Sequence, residues 1–159
     1  MTDWFVGLGS NLGDREALLC SALGELAAAP GLRLCAVSRF HETAPVGGPP
    51  QGPFLNAVAR LAWAGGPEAL LDLLLAVEAR HGRRRGLRWG PRTLDLDLLC
   101  SLPAVTVHRP PRLVLPHPRL EERRFVLEPL AELAPGLRLP SGRSVGERLG
   151  ELRSHGAPA

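Results

Sequence analysis

Apolar residues in this chain come in short bursts whose spacing switches between the strand period of two and the helical period of about four. Trp4-Phe5-Val6-Gly7-Leu8-Gly9 predicts a short strand, running into a tight turn at Ser10-Asn11-Leu12-Gly13. Asp14 is placed to cap a helix whose apolar face is Leu18, Leu19, Ala22, Leu23 and Leu26. Pro30-Gly31 stops that helix. A strand is expected from about Leu32 to Glu42, with Leu34, Ala36 and Ser38 on one side and Cys35, Val37 and Arg39 on the other. The stretch from Ala44 to Pro53 holds four prolines and three glycines, so it reads as an exposed loop.

The pattern then repeats in outline. Phe54 to Ala64 predicts a strand, and Gly65-Gly66-Pro67 opens a helix with proline in its first turn. Leu70, Leu71, Leu74 and Val77 form its buried face, and Gly82 ends it. An arginine-rich loop leads to a strand from Thr93 to Leu99. The order strand, helix, strand, strand, helix, strand is that of a ferredoxin-like split βαβ sandwich, an α+β fold. A Pro/Arg segment (His108 to Arg119), a helix from about Glu121 to Leu133 and a short helix near Val145 form an added C-terminal helical and hairpin segment. Residues 1–159 read as one domain, with a frayed tail from Ser154.

Composition narrows the chemistry. All 19 basic residues are arginine, so a Walker A loop and Schiff-base catalysis are excluded for want of lysine. A net charge of +3 is too mild to demand nucleic acid. No apolar run approaches the roughly 18 residues that span a bilayer, and the amino terminus lacks signal-peptide character, so a cytoplasmic location is expected. Cys20, Cys35 and Cys100 are far apart, odd in number and set among apolar residues. They are expected to be buried thiols rather than a disulfide or zinc framework.

Asp95-Leu96-Asp97 sits inside an apolar strand. Alternation turns both carboxylates to one face, with backbones roughly 6–7 Å apart. Like charges so placed need something positive between them, and Mg²⁺ or bridging arginines would serve. Those residues alone leave both readings open. The loop before them carries Arg80, Arg83, Arg84, Arg85, Arg88 and Arg92 and no acid. A solvated loop is the ordinary account of such a run, but glycines at 82, 86 and 90 and an awkward Trp89 suit a lid closing on phosphates. Arg112, His117, Arg119, Arg123 and Arg124 form a second cationic group, diluted by Glu121 and Glu122. His117, between two prolines, is by itself more readily structural than catalytic. Phe54 and Asn56 share a strand face and would suit a flat heterocycle with an amide edge, although on these residues alone a core Phe and a turn Asn are the favoured account.

Taken in order, Gly9-Ser10-Asn11-Leu12-Gly13, Glu42-Thr43-Ala44-Pro45-Val46-Gly47, Phe54-Leu55-Asn56-Ala57, the run Arg88-Trp89-Gly90-Pro91-Arg92-Thr93-Leu94-Asp95-Leu96-Asp97, Leu115-Pro116-His117-Pro118-Arg119 and Arg124-Phe125-Val126-Leu127-Glu128-Pro129-Leu130 resemble the hydroxymethyldihydropterin pyrophosphokinases of folate biosynthesis. The resemblance spans about Val6 to Pro135. It implies a ferredoxin-like core with three mobile loops, and transfer of pyrophosphate from ATP to 6-hydroxymethyl-7,8-dihydropterin. Asp95 and Asp97 would hold two Mg²⁺ ions. Arg83, Arg92, Asp95 and Asp97 would be the catalytic group. Thr43, Pro45, Val46, Phe54, Asn56, Trp89 and Phe125 would receive the pterin. Glu78, Arg85, Arg88, Leu98, Arg112, His117 and Arg123 would receive ATP. The family pattern departs at Glu122, where relatives carry a neutral or His residue, and in a lid one residue shorter than in some relatives. The partners expected are these two small molecules, with neither nucleic acid nor membrane, and a monomer with a weak dimer left open. An RNA-binding ferredoxin-like module would need aromatic residues where Asp95 and Asp97 stand. An inactive relative would have lost metal or lid residues that are all present.

Overall fold

The computed structural model describes residues 1–45, 48–82 and 94–155. The chain runs β1 (Thr2–Ser10), α1 (Arg15–Ala28), β2 (Leu32–Val37), β3 (His41–Thr43), β4 (Phe54–Trp63), α2 (Pro67–Arg80), β5 (Asp95–Leu102), β6 (Val107–Arg109), β7 (Leu113–Leu115), a 3₁₀ turn (Leu120–Glu122), α3 (Arg124–Leu133) and α4 (Val145–Ser154). The main sheet has the order β2-β4-β1-β5, and every pairing is antiparallel. β3 also pairs with β4, and β6 with β7 forms a separate hairpin. This is an α+β fold, an antiparallel sheet with four α-helices among the described residues.

Both faces of the sheet are covered, which is why β1 and β4 read as nearly continuous apolar runs. Trp4, Val6 and Leu8 of β1 join Leu61, Leu96 and Leu98 and the buried faces of α1 and α2 (Leu19, Leu26, Leu70, Leu74) in one core. Phe5, Val58 and Leu99 meet Val126, Leu127 and Leu130 of α3 and Leu149 of α4 in a second core on the opposite face. Local signals set the helix ends, at Asp14 and Gly82 as expected and at Ser144 in addition. The Asp14 carboxylate accepts the Ala17 N–H at 3.1 Å, and the Ser144 hydroxyl accepts the Glu147 N–H at 3.1 Å. Gly82, just past α2, takes the left-handed backbone (φ +75°) that favours glycine.

Several expectations are corrected. The strand drawn from Leu32 to Glu42 is two strands, β2 and β3, with Ser38, Arg39 and Phe40 between them. A register shift between Leu34 and Ala36 leaves Cys35 as an extra residue. One extra residue turns all that follow to the other face, so Val37 packs against the same core as Leu34 instead of opposite it. Ser10 belongs to β1, and only the residues after it make the turn. The helix expected from Glu121 starts as a 3₁₀ turn and becomes α-helical at Arg124. Cys20 and Cys35 are exposed rather than buried, Cys20 by lying off the buried stripe of α1 and Cys35 by its place in the bulge. Cys100 alone is buried.

Candidate active site

The sheet register builds the site. Asn56 of β4, Gly9 of β1 and Asp95 of β5 are cross-strand partners in one row. Val58, Gly7 and Asp97 form the next row. Leu8 and Leu96 point into the α1/α2 core, so by alternation Gly7, Gly9, Asp95 and Asp97 face the side that carries α3. Neighbouring strands lie about 4.8 Å apart, which places Asn56 two strands from the carboxylates. Glycine between them lets neighbouring side chains close in over the backbone: the Asn56 amide and Phe54 ring over Gly9, and Leu99, 3.5 Å from where a Cβ would stand, over Gly7.

The amide end of this face is held tightly. Asn56 and Thr43 are both buried, and Asn56 Nδ2 donates to Thr43 Oγ1 at 2.5 Å. A side chain on Gly9 would put its Cβ 2.9 Å from Asn56 Oδ1 and 3.7 Å from the Phe54 ring, so glycine is required for the amide to sit where it does. Thr43 pairs with Phe54 at the mouth of the loop, and Pro45 is half-buried beside it.

At the carboxylate end, Asp95 and Asp97 are half-buried. Arg123 Nη1 stands 3.8 Å from Asp97 Oδ2, and its guanidinium carbon lies 5.6 Å from the centroid of the Phe125 ring. This one residue links the acidic corner to the aromatic one. His117 is fixed through its backbone, where its N–H donates to Leu99 O at 2.7 Å, and through Nδ1, which accepts the Arg119 N–H at 3.2 Å. Burial, and then the charge of Arg123, lower its pKa from 6.5 to about 4. The neutral ring therefore carries its proton on Nε2, as a donor. A β-bulge next to this corner, between the pairs Phe5–Cys100 and Val6–Leu98, ends the alternation that aims both aspartates the same way.

Glu78 and Leu98 lie elsewhere. Glu78 is 3% exposed on α2, and its Oε2 accepts the Leu96 N–H at 2.7 Å, from the free edge of β5. The Leu98 side chain is buried in the α1/α2 core. The second cationic group is divided: Arg112 pairs with Asp72, Arg119 with Glu122 and Arg124 with Glu128, whereas Arg123 turns toward Asp97. Val46, Arg83, Arg84, Arg85, Arg88, Trp89 and Arg92 lie outside the described residues. Sequence reasoning missed Gly7 and Gly9 as the floor of the site. The signal was there, because glycines at i and i+2 in a strand mirror Asp95 and Asp97 in β5. It also missed Arg15, whose role depends on contacts about forty residues away.

Could these residues hold a divalent ion? Among the described residues no set of three His, Cys, Asp or Glu is grouped for a metal. Two carboxylates on one face suit Mg²⁺, which takes one or two protein carboxylates and completes its shell with water and phosphate oxygens. The donor set fits that ion better than zinc, which prefers nitrogen and sulfur.

The sequence profile of the 7,8-dihydro-6-hydroxymethylpterin-pyrophosphokinase (HPPK) family matches residues 5–135. The chain is 45% identical over 156 residues to the 2-amino-4-hydroxy-6-hydroxymethyldihydropteridine pyrophosphokinase of Methylorubrum extorquens, covering 98% of this chain and 97% of that one. It is 47% identical over 145 residues to the protein of that name from Pseudomonas aeruginosa, with 91% and 88% covered. Among solved structures, an HPPK-DHPS in complex with substrates superposes with a TM-score of 0.74 at 11% identity, over 97% of this chain. This chain spans 44% of that longer one, and the likeness bears on fold alone. A Plasmodium falciparum HPPK-DHPS gives a TM-score of 0.72 at 12% identity, with 98% and 44% covered. By the profile match and the length and identity of its relatives, the chain belongs to the 7,8-dihydro-6-hydroxymethylpterin pyrophosphokinase family.

Proposed function

We propose that this chain transfers the pyrophosphoryl group of ATP to the hydroxymethyl oxygen of 6-hydroxymethyl-7,8-dihydropterin, releasing AMP, as a step of folate biosynthesis. One observation carries the assignment of the site: an amide end (Asn56 with Thr43) and a carboxylate end (Asp95 with Asp97) share one sheet face, separated by glycine backbone. In this reading Asn56, Thr43, Pro45 and Val46 hold the polar edge of the pterin, and Phe54, Phe125 and Trp89 pack on its rings. The hydroxymethyl group then points toward the aspartates. The order β2-β4-β1-β5 supports the ferredoxin-like split βαβ arrangement in detail.

Asp95 and Asp97 would hold two Mg²⁺ ions, which when bound supply charge neutralisation at the phosphate oxygens. The rest falls to the chain's own side chains. Arg123 and neutral His117, with Arg112 and the lid residues Arg83, Arg85, Arg88 and Arg92, orient the triphosphate. Glu78 and Leu98 would support the nucleotide end from behind the sheet, Glu78 through its bond to the Leu96 N–H and Leu98 through its backbone. The pterin oxygen attacks the β-phosphorus in line, the bond from that phosphorus to the α–β bridging oxygen breaks, AMP leaves with the electron pair, and the hydroxyl proton is released. No covalent enzyme intermediate is needed. Positioning and fixed charge supply the rate. The test is AMP formation from ATP and Mg²⁺, with and without the pterin, on wild type and Asp97→Ala. Pterin-dependent AMP that disappears in the variant supports the reading, and AMP formation indifferent to pterin would sink it.

A further inference from the structure

The loop that follows Thr43 is poorly equipped to brace itself. Prolines at 45, 49, 50 and 53 have no N–H to offer, and glycines at 48 and 52 add freedom. Yet the residues proposed to receive the pterin, Thr43 and Phe54, are its two ends. The bracing comes from the β1–α1 connection. Arg15, the first residue of α1, forks its guanidinium: Nη1 donates to Pro53 O at 3.0 Å and Nη2 to Glu42 Oε2 at 3.0 Å. Those acceptors lie on the residues immediately before Phe54 and Thr43, which face each other in the β3–β4 register. One turn earlier, Asn11 Nδ2 donates to Gln51 Oε1 at 2.7 Å and to Gly52 O at 3.2 Å.

We infer that Arg15, assisted by Asn11, is a positioning residue for the pterin substrate, a strut that fixes the mouth of the 44–53 loop against the start of α1. The inference rests on the reading that Thr43 and Phe54 hold the pterin. Its effect is geometric. Glu42 is 60% exposed, so the ion pair by itself adds little stability. The forked geometry instead sets where Thr43 and Phe54 stand, and small displacements of positioning groups have large effects on binding and rate. Lysine could supply the charge but not the two-pronged fork.

The experiment titrates 6-hydroxymethyl-7,8-dihydropterin into full-length protein with Mg²⁺ and a non-hydrolysable ATP analogue. Variants are Arg15→Met, Arg15→Lys, Asn11→Ala and Glu42→Gln, with Phe54→Ala as reference and thermal midpoints for each. Arg15→Met is expected to weaken pterin binding roughly tenfold, with Arg15→Lys between it and wild type, while affinity for the ATP analogue stays put. If Phe54→Ala weakens pterin binding but Arg15→Met and Asn11→Ala do not, the strut is overturned and the site reading stands. Unchanged binding in Phe54→Ala as well would overturn the site reading itself. Equal loss of pterin and nucleotide affinity in Arg15→Met would mark a general disturbance and also overturn the strut. Should Arg15→Met fail to fold, Glu42→Gln carries the test from the exposed partner, and unchanged pterin affinity there counts against it.

Discussion

Arg123, the N-cap residue of α3, stands 3.8 Å from Asp97 of β5. The pair is part-exposed, so its attraction is worth about 1 kcal/mol or less. Asp97 also carries the repulsion of Asp95 on the same face. Asp97→Asn should therefore leave the thermal midpoint within a few degrees of wild type, or raise it, while pterin-dependent AMP release falls by on the order of 10³-fold. Differential scanning fluorimetry and a coupled AMP assay on one preparation check both halves. A variant that unfolds would make Asp97 a structural residue.

Gly9→Ala offers a sharper steric test. The new Cβ would lie 2.9 Å from Asn56 Oδ1, inside any normal contact, so the amide must turn away and strain its bond to Thr43. Pterin affinity should drop by roughly 10- to 100-fold, with nucleotide affinity little changed. Unaltered pterin binding would show that the Gly9 row is not the floor of the site.

Glu78 should matter through β5. Its buried carboxylate accepts the N–H of Leu96, the residue between the two aspartates. Glu78→Leu strands that N–H and should cost about 1–3 kcal/mol of stability. Glu78→Gln retains an acceptor and should recover most of the loss. Urea midpoints of the three proteins decide it. The Mg²⁺ concentration giving half-maximal activity should rise in the Leu variant, because the spacing of Asp95 and Asp97 is then less well fixed.

These relationships differ in how visible they are in the sequence. The helices were legible because local signals agreed: Asp14 caps α1, Pro67 opens α2, and leucines recur at helical spacing. Asp95 and Asp97 were legible because a strand's alternation puts i and i+2 on one side. The split of the second strand was hidden, since a bulge at Cys35 depends on pairing with β4 rather than on local preference. Likewise, Gly7 and Gly9 could be placed on the first strand, but nothing local to them names their partners on the neighbouring strands. Only the register, which sets them in the rows of Asn56 and the aspartates, shows that Gly9 makes room for the Asn56 amide. The division of the second arginine group was equally out of reach, as Asp72 lies far from Arg112 along the chain.

The thiols provide a chemical check on that fold. Burial pushes the Cys100 thiol from 9.0 up to about 12, whereas Cys20 and Cys35 are exposed. The reactive species is the thiolate. A thiol-reactive chromophore should modify two cysteines in the native protein at pH 8 and the third only in denaturant. Mass spectrometry of peptides should place the slow site at Cys100. Rapid native labelling there would contradict its place in the α3/α4 core.

His117 supplies a signed pH dependence. Its folded pKa, about 4, lies below the ordinary 6.5, so between those values the unfolded chain binds more protons than the native one. Stability must then rise as pH increases from about 4 to 6.5 and level off above, with burial as the main cause and Arg123 second. Carboxylates act in a lower window. In Glu128 and Glu132 burial pulls the pKa upward, but hydrogen bonds outweigh it, from Arg124 and Arg153 in one and from the Arg39 N–H and His41 in the other. Both are held below 4.5, so their stabilisation is present above that pH and lost only as pH falls further. Comparing pH 5 with pH 7.5 thus sets these two carboxylates aside, and the His117→Gln variant separates His117 from the other histidines. For a half-buried ring the expected gain is on the order of 1–2 kcal/mol. Urea denaturation of wild type should show it, and His117→Gln should lack it. An equal gain in the variant would assign the pH dependence to other groups and remove the case for a neutral His117 at the acidic corner.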